Sequence, residues 1–410
     1  MKHVFQLMLL VLPFSLFVQG QGVNFEHGLS WNEVQAKAKT ENKYIFMDCF
    51  TTWCGPCKYM SAKIFPQPEV GEFFNKNFIS VEVQMDKTAA DNELVKKWYD
   101  DAKAIADQYG IAAYPTFLYF SPDGKLVHRV VGGGEAKDFI EKSSNALDPS
   151  KQFYTKLEQF ESKTKKEPAE IREMAIAAQD IYDMASASKY AEQYLATQEN
   201  LMTKENLEFL NMFTNSSKDK GFDIFLKQGK QVDKILGQGI AAKKVKEIIM
   251  QEEVYPNIPR TPDAVIDWNA LKAGVAKKYP AYGDEVISGI KIQYYQSKKD
   301  WSNFQTEVMA YMKKYGQNVS PENLNNFAWA VFENCADTKC VEQALEWSKR
   351  SFKDKENPMF MDTYANILYK LGKKDEAIKW EEKALALSNG ESTYQETLDK
   401  MKKGEKTWNN

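Results

Sequence analysis

The run Thr51-Thr52-Trp53-Cys54-Gly55-Pro56-Cys57-Lys58 constrains this chain more than any other stretch. Before it lies Tyr44-Ile45-Phe46-Met47-Asp48-Cys49-Phe50, an almost unbroken apolar run that suits a strand buried on both faces. After it the pattern is helical as far as Pro66. The two cysteines therefore sit where a strand turns into a helix. Pro56 fits a first helical turn, where no backbone amide needs a partner. Unpaired amides and the helix dipole at such a start favour a negative sulfur at Cys54. Cys57 falls one turn further in, within reach of Cys54. A low-pKa thiolate with a resolving thiol one turn away is what thiol–disulfide exchange needs.

The surrounding pattern is that of an α/β domain. Ser30-Trp31-Asn32-Glu33 is a capping box that predicts a helix to about Thr40. A short helix starts at Pro68, a second strand covers Phe78–Val83, and a long helix covers Ala90–Gln108, ending before Gly110. Thr116–Phe120 is a third strand. Ser121-Pro122-Asp123-Gly124 turns the chain into a hairpin partner at Leu126–Val131, and a last helix begins at Glu135. This order predicts a mixed sheet with helices on both faces. Asp48 interrupts the most apolar strand, and a buried carboxyl there needs a reason.

Composition sets the wider bounds. The chain has 410 residues, a net charge of −3 and 43% hydrophobic residues, an ordinary globular balance that implies no nucleic-acid partner. Met1-Lys2-His3 followed by the apolar run Val4–Val18 and Gly20 reads as a secretory signal, with a retained membrane anchor as the alternative. Export is therefore expected, with the bacterial periplasm as the location and no stable membrane insertion once the signal is cleaved. Five cysteines are present: Cys49, Cys54, Cys57, Cys335 and Cys340. In an oxidising compartment Cys335 and Cys340 are expected to form a local structural disulfide inside a loop, and Cys49 to be a buried apolar side chain. A zinc site would need four Cys or His ligands, and His27 and His128 supply no second set at motif spacing. No metal and no organic cofactor are expected. Copper(I) delivery by the paired thiolates stays open.

Beyond residue 149 the strand signal vanishes. The expected division is a signal at 1–20, an α/β domain at 21–148, a helical region at 149–322 and helical repeats at 323–404. Asn326–Phe332 lines up with Thr363–Tyr369, and Ala344-Leu345-Glu346-Trp347 with Ala377-Ile378-Lys379-Trp380. The offsets predict four extra residues between the helices of the first repeat. This pattern resembles the tetratricopeptide repeat at Ala365, Leu368, Leu371, Gly372, Ala377, Ile378 and Ala384. It departs from it at Trp380, one place early, and at Glu381, which takes the usual aromatic position.

Three features in order, Asp48, Trp53-Cys54-Gly55-Pro56-Cys57-Lys58 and Tyr114-Pro115-Thr116, resemble the thioredoxin family over residues 28–146. The resemblance implies a thioredoxin fold with Cys54 as attacking thiolate and Cys57 as resolving thiol. It implies Asp48 as proton acceptor for Cys57 through water, and Trp53, Gly55, Pro56 and Lys58 as supporting residues. It implies a cis peptide before Pro115, with Tyr114, Pro115 and Thr116 presenting backbone to a substrate strand. Glu82 stands where thioredoxin carries a lysine near the buried aspartate, so Asp48 is expected to have a further raised pKa.

The resulting expectation is an exported protein thiol–disulfide oxidoreductase, a reductase or isomerase. Its partners would be protein disulfide or thiol substrates and a protein that recharges the dithiol. The helical C-terminal region would hold a client or partner. The alternative is a helical-repeat adaptor whose α/β domain serves mainly for recognition.

Overall fold

The computed structural model describes residues 22–259 and 265–408, so the expected signal at 1–20 lies outside the described residues. The chain divides into two compact units, one running to Leu201 and the other from Met202.

In the first unit, strand β1 (Tyr44–Phe50) forms the middle of a four-stranded sheet with β2 (Phe78–Gln84), β3 (Thr116–Phe120) and β4 (Leu126–Val131), in the order β2-β1-β3-β4. β1 runs parallel to β2, with Asp48 opposite Glu82, and antiparallel to β3, with Asp48 opposite Phe117. β3 and β4 are antiparallel neighbours joined by the expected turn, closed by a 2.8 Å hydrogen bond from Gly124 N–H to Ser121 O. Gly124 has φ 84°, and a Cβ there would lie 2.8 Å from Gln35 Nε2, so glycine suits the position on both counts.

Helices cover both faces. Helix α1 (Trp31–Glu41) starts with the predicted capping box: Glu33 N–H donates to Ser30 Oγ and Ser30 N–H donates to the Glu33 carboxylate. Helix α2 (Gly55–Tyr59) continues through a widened turn, closed by Phe65 N–H to Met60 O at 2.9 Å, that carries the chain to Pro66. Helix α3 (Pro68–Asn77) follows. One face of the sheet presents Phe46, Phe117 and Tyr119 to Phe65, Phe74 and to Phe139 of a later helix. The other presents Met47, Cys49, Val81, Leu118 and Phe120 to Val34, Ala38 and Ile105. β1 is thus buried on both sides, as its apolar run requires.

The single helix expected over 90–108 is instead two, α4 (Glu93–Lys97) and α5 (Tyr99–Tyr109). Asn92 caps the first, its Oδ1 accepting from the Leu94 and Val95 amides. The path breaks at Trp98, whose indole N–H donates to Leu29 O at 2.9 Å. That tertiary bond fixes the ring where a continuous helix would not carry it. Helix α6 (Ala136–Ser144) begins after Glu135, as expected.

The first unit extends past residue 148 into α7 (Phe153–Ser162), α8 (Pro168–Asp180) and α9 (Met184–Ala196). Two residues of β4 fasten them. His128 Nδ1 accepts from Phe153 N–H at 3.3 Å, and burial holds this imidazole neutral, its pKa lowered to about 4. Arg129, 1% exposed, donates to Tyr182 O at 3.2 Å and to Tyr109 O.

The second unit is helical: α10 (Lys204–Phe213), α11 (Lys220–Lys227), α12 (Gly229–Leu236), α13 (Ile240–Ile249), α14 (Trp268–Lys278), α15 (Gly283–Ser297) and α16 (Trp301–Tyr315). Helices α17 (Pro321–Asn334) and α18 (Thr338–Ser351) then form a hairpin, as do α19 (Pro358–Lys370) and α20 (Lys374–Leu387), before α21 (Ser392–Lys403). The four extra residues of the first repeat are not in its loop. Both hairpins turn over three residues, 335–337 and 371–373, so the helices themselves absorb the offset.

The expected Cys335–Cys340 disulfide is not formed; both are buried free thiols. Cys335 ends α17 in extended backbone, its Sγ 3.7 Å from Asp337 O. Asp337 caps α18 by accepting from Lys339 N–H, which winds Cys340 into the first helical turn rather than leaving it in a loop. Burial pushes the Cys340 thiol well above its usual range, and the neighbouring Cys335 thiol pushes it further.

Candidate active site

Cys54 and Cys57 are joined by a disulfide with a Cα–Cα separation of 5.3 Å. β1 delivers the chain to Thr51, whose carbonyl accepts from Cys54 N–H at 3.2 Å. Thr52 is fixed to Asp86 just past β2: its N–H donates at 3.0 Å and its hydroxyl at 2.5 Å. Cys54 then caps α2, its Sγ accepting from Cys57 N–H at 3.1 Å. That bond is the physical form of the helix-start stabilisation expected of a thiolate here. Both sulfur-bearing residues are nearly covered, Cys54 at 3% and Cys57 at 2% exposure.

Around the pair the surface is aromatic and open. Trp53 is 69% exposed and meets the Tyr114 ring edge-on at 5.9 Å. The Tyr114–Pro115 peptide is cis, and Thr116, the first residue of β3, donates from Oγ1 to Ala113 O at 2.8 Å. Gly55, Pro56 and Lys58 lie on the exposed side of α2. Sequence reasoning missed two neighbours. Tyr59 OH donates to Glu135 at 2.7 Å, and Gly133 passes so close to α2 that a Cβ would lie 3.3 Å from Met60 Sδ. The aromatic Tyr59 and the glycine run 132–134 were visible in the sequence, but nothing local paired them.

On β1, the strand that leads into the dithiol turn, Asp48 is 1% exposed, and neither carboxylate oxygen has a hydrogen-bond partner among the described residues. Burial pushes its pKa well above the usual carboxylate range, and the Glu82 carboxylate opposite it on β2 pushes it further. Glu82 is itself raised by burial and held down by His27. Cys49, next to Asp48 but on the other face, is a free buried thiol raised by burial and by Asp48. Among the described residues no group of three or more His, Cys, Asp or Glu side chains is placed to hold a metal ion, and no helix is long and apolar enough to cross a membrane.

A disulfide capping a helix start, with an exposed aromatic rim, can take two electrons from a dithiol and, once reduced, pass them to another disulfide. That chemistry places the domain among the thiol–disulfide oxidoreductases.

Comparison with known proteins agrees. The thioredoxin-like domain profile matches residues 31–146. The chain is 30% identical over 115 residues to Thioredoxin Asp f 28 of Aspergillus fumigatus, covering 90% of that protein and 28% of this one. It is 31% identical over 111 residues to Thioredoxin-2 of Pyricularia oryzae, spanning only 54% of that protein's length and 27% of this chain. A solved candidate disulphide-isomerase from Bacteroides thetaiotaomicron is 33% identical, covering 97% of that chain and 32% of this one, with a TM-score of 0.27. The chain belongs to the thioredoxin family.

Proposed function

We propose that the protein is exported and exchanges disulfides with protein substrates in the reducing or isomerising direction. The observation that carries this reading is the Cys54–Cys57 pair at the start of α2, reached directly from β1, the strand that carries the buried, unpartnered Asp48. In the reduced protein the Cys54 thiolate attacks a client disulfide. A Cys54–client bond forms and one client sulfur leaves as thiolate. Cys57 gives its proton toward Asp48 and attacks Cys54 Sγ. The Cys54–Cys57 disulfide closes and the second client thiol is released. Two electrons have passed to the client, and a dithiol partner protein must return them. Trp53 and the backbone at Tyr114-Pro115-Thr116 form the rim against which a client strand is held. The helical second unit supplies a surface for a client or for the recharging partner, and the periplasm is where such a protein works.

The test is the reduction potential of the Cys54–Cys57 pair, read by thiol labelling and mass after equilibration in glutathione buffers. A value near about −270 mV supports a thioredoxin-like reductant, and one near about −180 mV an isomerase. A value near about −120 mV means an oxidant and overturns the direction. Export is tested by fractionating cells that express the full chain; protein held in the cytoplasm with residues 1–20 intact overturns it.

A further inference from the structure

Asp48 is sealed from solvent, yet the exchange requires its proton to come and go. The strand registry points to a way out. Asp48 lies opposite Glu82 in parallel strands, and paired residues of neighbouring strands project from the same face. On the far side of β2, the segment before α1 lies along the sheet edge: Phe25 bridges Ser80 in parallel, and Glu26 N–H donates to Ser80 O at 2.8 Å. Two residues further along each segment stand His27 and Glu82. Both line a cavity of about 140 Å³ with Phe50, Gln84 and Trp98. Exposure rises along this row, from Asp48 at 1% through half-buried Glu82 to exposed His27.

We propose that Glu82 and His27 form the proton path between Asp48 and solvent, as positioning residues for the resolving step. The proton leaves Cys57 Sγ for Asp48, passes to Glu82, and reaches bulk water by way of His27 at the sheet edge. It returns by the same route when the disulfide is reduced. No oxidant is needed beyond the client disulfide. Among the described residues Glu82 is the one charged side chain that acts on the buried acid.

The other ionisable groups around the row do not offer an alternative route. Cys49 beside Asp48 and Tyr119 on β3 both have pKa values pushed up by burial, so they hold their protons. Arg129 acts on Cys49 from β4 and is bound to backbone carbonyls. Glu26 is paired with Lys37 at 2.5 Å. From α4 the cavity receives only Leu94 and Val95.

The inference rests on the proposed exchange reaction, and the experiment separates the two. The full chain, fed by dithiothreitol, reduces insulin disulfides while single-turnover closure of the Cys54–Cys57 bond is followed from pH 5 to 9. Glu82→Gln and His27→Gln are expected to slow closure about tenfold at neutral pH, less than the roughly hundredfold that losing a positioned base costs. They should also alter the pH–rate profile, with Glu82→Asp restoring much of the Glu82→Gln loss and added imidazole restoring the His27→Gln loss. His27 is exposed, so His27→Gln serves even where the Glu82 variant folds poorly. If the wild type exchanges disulfides but His27→Gln keeps its rate and profile, the path is overturned and the exchange reading stands. A wild type that exchanges nothing overturns both.

Discussion

At the residue scale, the burial of Asp48 has a consequence for stability. A carboxyl whose pKa is raised on folding binds more protons folded than unfolded, so stability is fully present below the unfolded value of about 4 and falls as pH rises above it. Asp48→Asn removes that dependence. The variant's melting temperature should exceed the wild type's at pH 8, and the gap should close toward pH 4. Closure of the Cys54–Cys57 bond should slow about a hundredfold in the same variant at neutral pH. Equal melting temperatures at both pH values would contradict the burial argument. The remaining thiols give a simpler check. Cys49, Cys335 and Cys340 are all free, so alkylation of the denatured, unreduced protein should add three labels. A single label would show that the C-terminal pair had bonded after all.

At the element scale, β1 carries the load of the first unit. The Phe46 ring lies within 6.4 Å of the rings of Phe25, Phe65, Phe74, Phe78, Phe117, Tyr119 and Phe139. Phe46→Ala leaves a cavity that so many rings cannot close, and should cost about 3–5 kcal/mol in denaturant unfolding. The α19–α20 hairpin holds a second buried acid. Glu381 takes the place of an aromatic, and burial together with the neighbouring Asp362 carboxyl raises its pKa. The sign is the same as for Asp48. The second unit should lose stability as pH rises above the ordinary glutamate range, and Glu381→Gln should flatten that loss, as followed by thermal melts at pH 5 and pH 8.5. The resemblance to a repeat located this hairpin from Ala365, Gly372 and Ala377, but not the ion it has to keep neutral.

At the scale of the whole molecule, the first unit is larger than its family motif. Arg129 and His128 leave β4 for partners in α7 and between α8 and α9. A chain ended after residue 148 strips both of those bonds, and each buried group left unpaired costs about 1–3 kcal/mol. A chain ended after Leu201 should therefore melt cooperatively and well above one ended at 148.

The sequence by itself determined the strands, the helix starts and the dithiol turn. These depend on local causes: apolar runs, capping side chains, proline and glycine at fixed offsets. It also pointed to the opposition of Glu82 and Asp48 through the family resemblance. It could not supply what depends on contacts between distant segments. The break at Trp98 follows from a carbonyl 69 residues away. The placing of His27 beside Glu82 follows from a strand edge 55 positions later, and the free state of Cys335 and Cys340 follows from where one helix ends and the next begins. Local chemistry fixes which elements form, because each turn or cap is decided within a few residues. Tertiary packing decides which side chains face one another, and here that means the surroundings of the buried acid.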